Sequence, residues 1–468
     1  MATRISQEVL EKVVIGDMVE KGRCIARVGN LVLFVTQVAP GDIVDLRIVS
    51  KKKDYAEAVP VYMHSIGDTR VQPFCQHFGV CGGCQWQHVS YPEQLAAKER
   101  MVLEKLIHIG HLQAPHVAPI LSASPTKYYR NKLEFTFSKQ RWLSTEEIKE
   151  HVQLDRRALG FHKPGSFDRV VDIKQCYLQP EPSNAIRTTL AQFAKEHELS
   201  FYDLSQHSGL LRNLMIRTTS TGEVMVLVQF GQAAVDKIQQ VMHHLQTKFP
   251  QLASLQYVVN EKKNETFYDL PTHLYHGKPY ITEQIDGLKF RIGPKSFFQT
   301  NTAQAQVLCR TIQELAALNY DEIIYDLYTG VGSIAIFLAQ YARRVVGIDV
   351  TQEAIADARV NARLNDVMNT TFVAGEVEQL LDAQFLSTYG QPHVIVTDPP
   401  RAGMHPKVIK QLLQIAPKKI VYVSCNPATQ ARDIALLSSR YQLITAQPID
   451  MFPHTSHVEN IALLIRKP

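Results

Sequence analysis

The strongest constraint on the fold is the alternation of apolar strand-like runs with helical segments after residue 286. One unit reads IIYDLYTGVGSIAIFLA: an apolar run ends near Asp326, a loop carries Gly330 and Gly332, and a helix begins near Ser333. Strands that alternate with helices in this way are typical of a parallel, doubly wound sheet. The pattern therefore predicts a Rossmann-like domain over residues 286–468.

A cofactor pocket is expected where the glycine loop meets the next strand, RVVGID, which closes on Asp349. Glycines let the loop backbone approach a ligand, and a strand-terminal carboxylate can accept both ribose hydroxyls of a nucleoside. Glu376 follows the third strand, TTFVA, where a polar group would face an adenine. The full dinucleotide fingerprint is absent. The pattern favours S-adenosyl-L-methionine, and a purely structural strand–helix unit is the alternative.

Two further strands of this sheet end in reactive side chains. Asp398 follows VIVT in TDPPRAG, and Cys425 follows KKIVYVS in a turn that continues Asn-Pro. Ligands of open α/β sheets bind at the carboxyl ends of the strands, so both should lie beside the cofactor. A thiolate that adds to uracil C6 makes C5 nucleophilic, which favours Cys425 as the nucleophile. A buried core cysteine is the alternative, and methylation of an exocyclic amine would need only Asp398.

Methylation at C5 also requires a base that removes the C5 proton. The segment FPHTSHVEN supplies Glu459 just before a terminal apolar strand. His454 and His457 are rival bases, with capping or orienting the loop as their alternative roles. We expect Glu459 to be the base.

A separate cysteine pattern, FCQHFGVCGGCQWQH, places Cys75, Cys81 and Cys84 with five and then two residues between them. Cys176 is the nearest later candidate for a fourth ligand. A structural zinc site uses four nitrogen or sulfur ligands, usually as two paired knuckles, and here one such pair exists. An iron–sulfur cluster uses four thiolates. The spacing slightly favours the cluster, and zinc or unligated thiols are the alternatives.

The first 285 residues are organised differently from the rest. Residues 1–61 alternate short apolar runs with Gly and Pro-Gly turns, which predicts a small antiparallel barrel. Residues 62–285 mix strand-like and amphipathic helical segments, which predicts an α+β domain. Apolar residues make up 45% and the formal net charge is +5. The sequence shows no secretion signal and no membrane-length apolar run, so we expect a cytoplasmic protein without a membrane partner.

Basic residues interleaved with aromatic ones suit contacts with RNA phosphates and bases. The clearest such stretch is KYYRNKLEFTF, and a solvated strand face is its alternative. Lys51, Lys52 and Lys53 form a second candidate, while Arg212 and Arg217 form a weaker third.

These motifs together resemble one family. PKSFFQTN, DLYTGVGS, TDPPRAG, VSCNPATQARD and FPHTSHVEN, in this order, resemble the RNA uracil-5-methyltransferases of the TrmA/RumA family. KGRCIARVGN, FVTQVAPGD and KKKDYAEA resemble the TRAM domain, an OB-like barrel of RNA-modifying enzymes. With the CGGC site, this start points to the RumA-like branch, which acts on 23S ribosomal RNA. The resemblance covers nearly the whole chain.

The resemblance implies the site residues. It implies Cys425 as nucleophile and Glu459 as base. Ser333 and Asp349 depart from the Asn and Glu common in relatives, but both remain polar. The implied S-adenosyl-L-methionine contacts are Gln299, Tyr328, Ser333, Asp349, Glu376 and Asp398, and the implied 4Fe-4S ligands are Cys75, Cys81, Cys84 and Cys176.

The resemblance also implies an organisation and a substrate. The stretch 92–121 is expected to pack on the catalytic domain, and we expect a monomer that methylates a specific uridine of 23S ribosomal RNA. Methylation of transfer RNA is the alternative within the family. A non-catalytic RNA-binding assembly factor is the alternative outside it, and the presence of both Cys425 and Glu459 argues against that.

Overall fold

The computed structural model describes residues 8–150 and 154–468. Its first part is a six-stranded sheet in the order β1-β5-β6-β4-β3-β2, in which β1 also contacts β3. Alternate residues such as Leu33, Val35 and Val44 are buried between its faces. The strands are β1 Val9–Val14, β2 Met18–Val19, β3 Arg23–Val28, β4 Leu31–Thr36, β5 Ile43–Lys51 and β6 Tyr55–Ser65, with a 3₁₀ turn at Glu20–Gly22.

The middle of the chain forms a seven-stranded mixed sheet in the order β13-β12-β11-β10-β7-β8-β9. Helices α3 and α4 bury apolar residues such as Leu190 and Leu245 in the same core as the sheet residues Phe135 and Leu214. The elements are α1 Tyr91–His108, β7 Lys132–Ser138, α2 Thr145–Lys149, β8 Ala158–His162, β9 Val170–Asp172, α3 Ser183–Glu196, β10 Leu211–Thr218, β11 Val224–Phe230, α4 Val235–Lys248, β12 Ser254–Val259 and β13 His273–Gly277.

The C-terminal part opens with a hairpin and continues as a seven-stranded sheet in the order β18-β17-β16-β19-β20-β22-β21. The elements are β14 Ile281–Ile285, β15 Leu288–Ile292, α5 Thr302–Ala316, β16 Ile323–Leu327, α6 Ser333–Leu338, a 3₁₀ turn Ala339–Tyr341, β17 Arg344–Asp349, α7 Gln352–Leu364, β18 Thr370–Ala374, α8 Val377–Leu380, α9 Ala383–Tyr389, β19 Val394–Thr397, α10 Pro406–Ile415, β20 Lys419–Ser424, α11 Pro427–Leu437, β21 Tyr441–Ile449 and β22 Glu459–Arg466.

Five neighbouring strands of this sheet, from β18 to β20, run parallel, which confirms the predicted doubly wound architecture. Strand β22 runs antiparallel to both β20 and β21. From β16 the chain first continues to β17 and β18 on one side and then returns to β19 and β20 on the other side. Ligands of such sheets bind in the crevice at this switch point, outside the carboxyl ends of the strands. Because β22 is antiparallel, its first residue lies at this same edge.

Helix α1 packs against the C-terminal sheet, although the helix ends more than two hundred residues before the first strand of that sheet. Val102 and Leu106 of α1 share a buried core with Tyr422 of β20 and Ile434 of α11. The segment after α1 then runs beside β21, where the Ala118 amide donates to the Ala446 carbonyl at 2.8 Å. Within the described residues, no helix has the length and apolar character needed to cross a bilayer.

Candidate active site

The loop between β16 and α6 has a backbone conformation that is strained for most residues other than glycine. Tyr328, Gly330 and Gly332 all have positive φ, at 67°, 56° and 82°. A Cβ on Gly332 would meet the Ala358 Cβ and the Phe372 ring at 3.0 Å. Glycine is therefore required at position 332 for two reasons, backbone conformation and space.

Asp349, at the end of β17, holds this loop directly. Its Oδ2 accepts a hydrogen bond from the Gly330 amide at 3.0 Å, and its Oδ1 accepts from the Thr351 amide at 2.9 Å. The carboxylate thus joins the glycine loop to the first turn of α7. Removing it would change the loop as well as any ligand contact.

A pocket opens beside the glycine loop at the carboxyl edge of the sheet. Its lining includes four residues predicted to contact the cofactor, together with apolar side chains such as Phe298 and Leu308: the four are Gln299, Tyr328, Ser333 and Asp398. Asp349 and Glu376 stand outside the lining. Glu376 immediately precedes α8 and is close enough to Tyr328 to raise the pKa of its hydroxyl, although burial contributes more to that rise.

Phe297 also lines the pocket, and 69% of its surface is exposed. Sequence reasoning did not single it out, although it lies in the quoted motif PKSFFQTN. The central part of the chain fixes the neighbouring backbone, because the Asn131 side chain donates to the Gln299 carbonyl at 2.9 Å. The Asn131 amide also donates to the Thr300 carbonyl at 2.8 Å.

Two buried carboxyl groups, Asp326 and Asp398, are close enough to interact electrostatically, and Asp398 lines this pocket. Burial raises the pKa of Asp326 to about 7, and the charge of Asp398 raises it further. Burial likewise raises the pKa of Asp398 to about 7. Thr329 donates to Asp326 Oδ2 at 2.5 Å, which partly offsets the effect of burial. A positively charged ligand at this position would favour the ionised form of both acids.

Cys425 and Glu459 meet at the same edge, because the β20–β22 ladder ends with the Ser424–Asn460 pair and each of them lies one residue beyond it. Gln430 of α11 fixes this register: its side-chain amide donates to the carbonyls of Tyr422 at 2.7 Å and Asn460 at 3.1 Å. Cys425 is partly exposed, whereas Glu459 is 4% exposed. The two groups therefore lie in one site that is partly shielded from solvent.

Acidic groups and one arginine have opposite effects on the pKa values of Cys425 and Glu459. Burial, Glu459 and Asp398 raise the pKa of Cys425, and Arg401 lowers it. Burial and Asp398 raise the pKa of Glu459 well above its usual value, and Arg401 again opposes the rise. Arg401 is thus the cation that favours both the thiolate and the carboxylate. Sequence reasoning missed its role, although it stands in the quoted motif TDPPRAG.

The Asn-Pro turn after Cys425 explains how Arg401 is held. The Asn426 side chain accepts from the Ala428 amide at 3.2 Å and so caps α11. The same side chain donates to the Arg401 carbonyl at 2.9 Å, and the Thr429 hydroxyl donates to that carbonyl at 3.2 Å. The turn therefore exposes Cys425 and fixes the neighbouring loop at once.

The two rival histidines lie in different surroundings. His454 is buried, its Nδ1 lies 3.3 Å from the Gln94 side-chain amide, and burial lowers its pKa to about 4. The His457 side chain is more exposed. The part of its ring that is buried lowers its pKa most, and the positive charge of Arg401 lowers it further. The contacts of His454 are those of a side chain that holds the loop.

The four predicted cluster cysteines line a single pocket, together with His77, Phe78 and Leu178. Burial raises the pKa of every one of these thiols. Asn184 clamps the backbone of Cys176, accepting from its amide at 2.8 Å and donating to its carbonyl at 3.0 Å. Across 8–150 and 154–468, however, no three His, Cys, Asp or Glu side chains are close enough together to hold a metal ion.

Two of the predicted RNA-contacting residues are not at the surface. Arg212 and Arg217 are 1% and 3% exposed. The Arg212 guanidinium donates to the carbonyls of residues 260, 262, 263 and 264, and Arg217 donates to that of Ser296 at 2.6 Å. The prediction was wrong for both, because burial in β10 commits them to neighbouring backbone carbonyls. Lys127 and Tyr128 of KYYRN remain exposed.

Comparison with known proteins extends these observations to the whole chain. The sequence model of the tRNA (uracil-5-)-methyltransferase family matches residues 211–467. A Bacteroides thetaiotaomicron protein named as an uncharacterized RNA methyltransferase is 48% identical over 451 residues, covering 96% of this chain and 99% of the relative. A Porphyromonas gingivalis protein of the same name is 48% identical over 461 residues, covering 97% and 99%.

The full length also has a structural counterpart. The crystal structure of the Pyrococcus abyssi tRNA (uracil-54, C5)-methyltransferase in complex with S-adenosyl-L-homocysteine has a TM-score of 0.75 and 28% identity, covering 97% of this chain and 100% of that one. The matched family model includes the strands that carry Asp398, Cys425 and Glu459. The chain therefore belongs to the RNA uracil-5-methyltransferase family.

Proposed function

We propose that this protein methylates C5 of a uridine in RNA through a covalent adduct between Cys425 and uracil C6. The observation that carries the proposal is the juxtaposition of Cys425 and Glu459 one residue beyond the last β20–β22 pair. Each lies near Asp398, which borders the pocket of the glycine loop. A nucleophile, a base and a cofactor pocket then adjoin each other.

The proposed chemistry divides between the two side chains. The Cys425 thiolate forms a bond to C6 of the uracil, and the electron pair of the C5–C6 double bond becomes available at C5 for methylation. Glu459 then removes the C5 proton, the C5–C6 double bond re-forms, and the sulfur–carbon bond breaks to return the thiolate. Arg401 favours the ionised form of both groups before substrate binds.

S-adenosyl-L-methionine, when bound, supplies the methyl group. The pocket lined by Gln299, Tyr328, Ser333 and Asp398 supports its placement there. Asp398 lines this pocket and burial raises its pKa, so a cationic ligand in the pocket would favour its ionised form. We assign Asp349 to the ribose and Glu376 to the adenine side.

We also propose that Cys75, Cys81, Cys84 and Cys176 bind a 4Fe-4S cluster. Their shared pocket supports the assignment, since four thiols are the donor set that such a cluster uses. Because burial raises the pKa values of these thiols, each would have to lose a proton to bind iron. Protein purified without oxygen should be brown and contain about four irons per chain. Stoichiometric zinc without visible absorbance would rule the cluster out.

The substrate is proposed to be 23S ribosomal RNA, with the N-terminal sheet acting as a TRAM-like RNA-binding barrel. Transfer RNA is the second candidate, and one observation favours it. The Pyrococcus abyssi enzyme whose name specifies a tRNA uridine matches 97% of this chain, including its N-terminal part. The N-terminal sheet therefore does not distinguish the two substrates. Mass mapping of 5-methyluridine in both RNA classes from a deletion strain separates them.

The reaction itself is tested by trapping the adduct. We expect Glu459→Gln to accumulate an RNA–protein adduct that survives denaturing electrophoresis, because addition proceeds but proton removal does not. Cys425→Ala should form neither adduct nor product, and the double variant should resemble it. Trapping by His457→Ala or His454→Ala instead would move the base to a histidine. Normal turnover of Glu459→Gln would overturn the assignment.

A further inference from the structure

We propose that Gln85 is a positioning residue for Glu459, acting through the base loop, which we define as residues 450–458 between β21 and β22. The inference rests on the proposed function, in which Glu459 is the base. Its structural basis is a set of hydrogen bonds from the cysteine segment, residues 75–88, to the part of the loop that leads into β22. Gln85 follows Cys84 directly, and its side chain contacts Ser456 of the base loop.

The contacts between Gln85 and the base loop are made by backbone and side chain together. The Gln85 amide donates to the His454 carbonyl at 2.8 Å, and the Trp86 amide donates to the same carbonyl at 3.0 Å. The Gln85 side-chain oxygen accepts from the Ser456 hydroxyl at 2.8 Å and from the Ser456 amide at 3.3 Å. Ser456 is three residues before Glu459, so this contact adjoins the start of β22.

The two halves of the base loop are held by different parts of the chain. In the first half, Lys98 of α1 is bound to Asp450 at 2.5 Å and donates to the Phe452 carbonyl at 3.0 Å. Both charged side chains are fully buried. In the second half, Ser456 is bound by Gln85 and by the Lys21 amide at 3.2 Å. Loss of the Gln85 side chain therefore loosens the half nearest the base while the first half stays fixed.

Gly22, in the turn before β3 of the N-terminal sheet, lies directly against the Gln85 side chain. Gly22 has a φ of +70°, and a Cβ built on it would lie 2.8 Å from the Gln85 Cβ. Because real Cβ atoms are not found at that separation, an alanine there must displace Gln85. Gly29, in the turn between β3 and β4, has a φ of +58° and nothing within 4 Å of its Cβ position. The two glycines thus share the same type of backbone strain on substitution and differ in the contact with Gln85.

The consequence for catalysis is confined to one step. Cys425 is carried by β20 and the Asn426 turn, and Gln430 fixes the adjoining register. None of these contacts involves the base loop, so thiolate addition does not depend on Gln85. Proton removal does depend on it, because proton transfer requires hydrogen-bond reach and small displacements of a catalytic group slow it strongly.

The test compares Gln85→Ala with Gln37→Ala in the full-length protein. Gln37 also joins the N-terminal sheet to the cysteine segment, donating to the Gly79 carbonyl at 3.2 Å, but it does not touch the base loop. We expect Gln85→Ala to lower kcat about tenfold and raise the steady-state fraction of covalent adduct, with the affinity for S-adenosyl-L-methionine unchanged. Gln37→Ala should match wild type in all three measurements.

Two further comparisons separate positioning from general destabilisation. Ser456→Ala should also lower kcat and raise the adduct fraction, because it removes the hydroxyl that donates to Gln85 together with the acceptor for the Lys21 amide. The double variant should be slower than wild type by less than the product of the two single effects, since both variants remove the contact between the Gln85 oxygen and the Ser456 hydroxyl. Gly22→Ala should accumulate adduct and Gly29→Ala should not. Additive losses in the double variant, or equal adduct levels in both glycine variants, would refute the positioning role.

The outcome is distinguishable from failure of the proposed function. If Glu459→Gln traps the adduct while Gln85→Ala behaves as wild type, the inference is wrong and the proposed reaction stands. If Glu459→Gln traps nothing, the assignment of Glu459 as the base fails, and the inference about Gln85 fails with it. If Gln85→Ala loses adduct formation together with turnover, its effect is a general loss of the site, which also contradicts the inference.

Discussion

Cys425 and Glu459 face each other across neighbouring antiparallel strands, one residue past the end of their shared ladder. This arrangement depends on β22 running against β20, because a parallel strand would place Glu459 at the opposite edge of the sheet. Neither residue lies in the pocket of the glycine loop, yet each interacts electrostatically with Asp398, which does. The pair therefore stands beside the pocket of the glycine loop, at the edge of the sheet where we propose that the RNA binds.

Asp349 is expected to bind cofactor and to shape the glycine loop, so its two roles need separate variants. Asp349→Ala removes the acceptor for the Gly330 amide as well as the carboxylate. Asp349→Asn keeps an acceptor oxygen and removes the charge. We expect both to weaken S-adenosyl-L-methionine binding in calorimetry, with Asp349→Ala weaker by a further factor of about five to ten, since it also leaves a loop amide unpaired. Equal affinities of the two variants would show that the loop contact is unimportant.

Arg401 should set the pH dependence of the reaction. It lowers the pKa of both Cys425 and Glu459, and the proposed mechanism needs both groups deprotonated. In Arg401→Gln both pKa values rise, so the profile of log kcat/KM against pH should move to higher pH. Near neutral pH we expect activity about tenfold lower, and recovery on the alkaline side. A uniform loss at every pH would assign Arg401 to substrate binding instead.

Asp398 is predicted to reduce stability above neutral pH. Its pKa in the folded protein is about 7, above the usual 3.8. The folded state therefore retains a proton that the unfolded state has lost between about pH 4 and 7, and stability falls as the pH rises through that window. Asp398→Asn lacks this loss, so its Tm without ligand should exceed that of wild type by about 2–4 °C at pH 8 and match it near pH 4.

Asp286 provides the matched control for this effect. It is exposed, and its hydrogen bond with Arg310 lowers its pKa. Asp286→Asn should therefore give no gain in Tm at pH 8. A gain of the same size in both variants would show that the effect comes from net charge and not from the buried carboxyl.

The buried Lys98–Asp450 pair should matter far more to stability than exposed ion pairs do. Lys98→Met leaves the Asp450 carboxylate buried and without its cation, which we expect to cost about 3–5 kcal/mol of unfolding free energy. The double variant Lys98→Met with Asp450→Asn should recover part of that loss in denaturant unfolding. Lys262→Met, which breaks an exposed pair with Asp269, should change little. Equal effects of Lys98→Met and Lys262→Met would contradict this account.

Local sequence determined the elements of the catalytic domain and the ends of its strands. Apolar runs closed by Asp349, Asp398 and Cys425 predicted parallel strands, because such runs have to be buried on both faces. The Asn-Pro pair after Cys425 predicted that this residue would be exposed, since such a pair forms a turn. These inferences needed the residues of one segment at a time.

The tertiary structure decided what meets at the site. That Gln85 contacts Ser456, 371 residues away, follows from how the cysteine segment packs against the base loop, and no local pattern encodes it. The same holds for Arg401, whose effect on Cys425 depends on a turn in another loop, and for Arg212, whose charge is buried among carbonyls that sequence spacing cannot reveal. Periodicity reports which face of an element is buried, whereas partners across the fold depend on the packing of the whole chain.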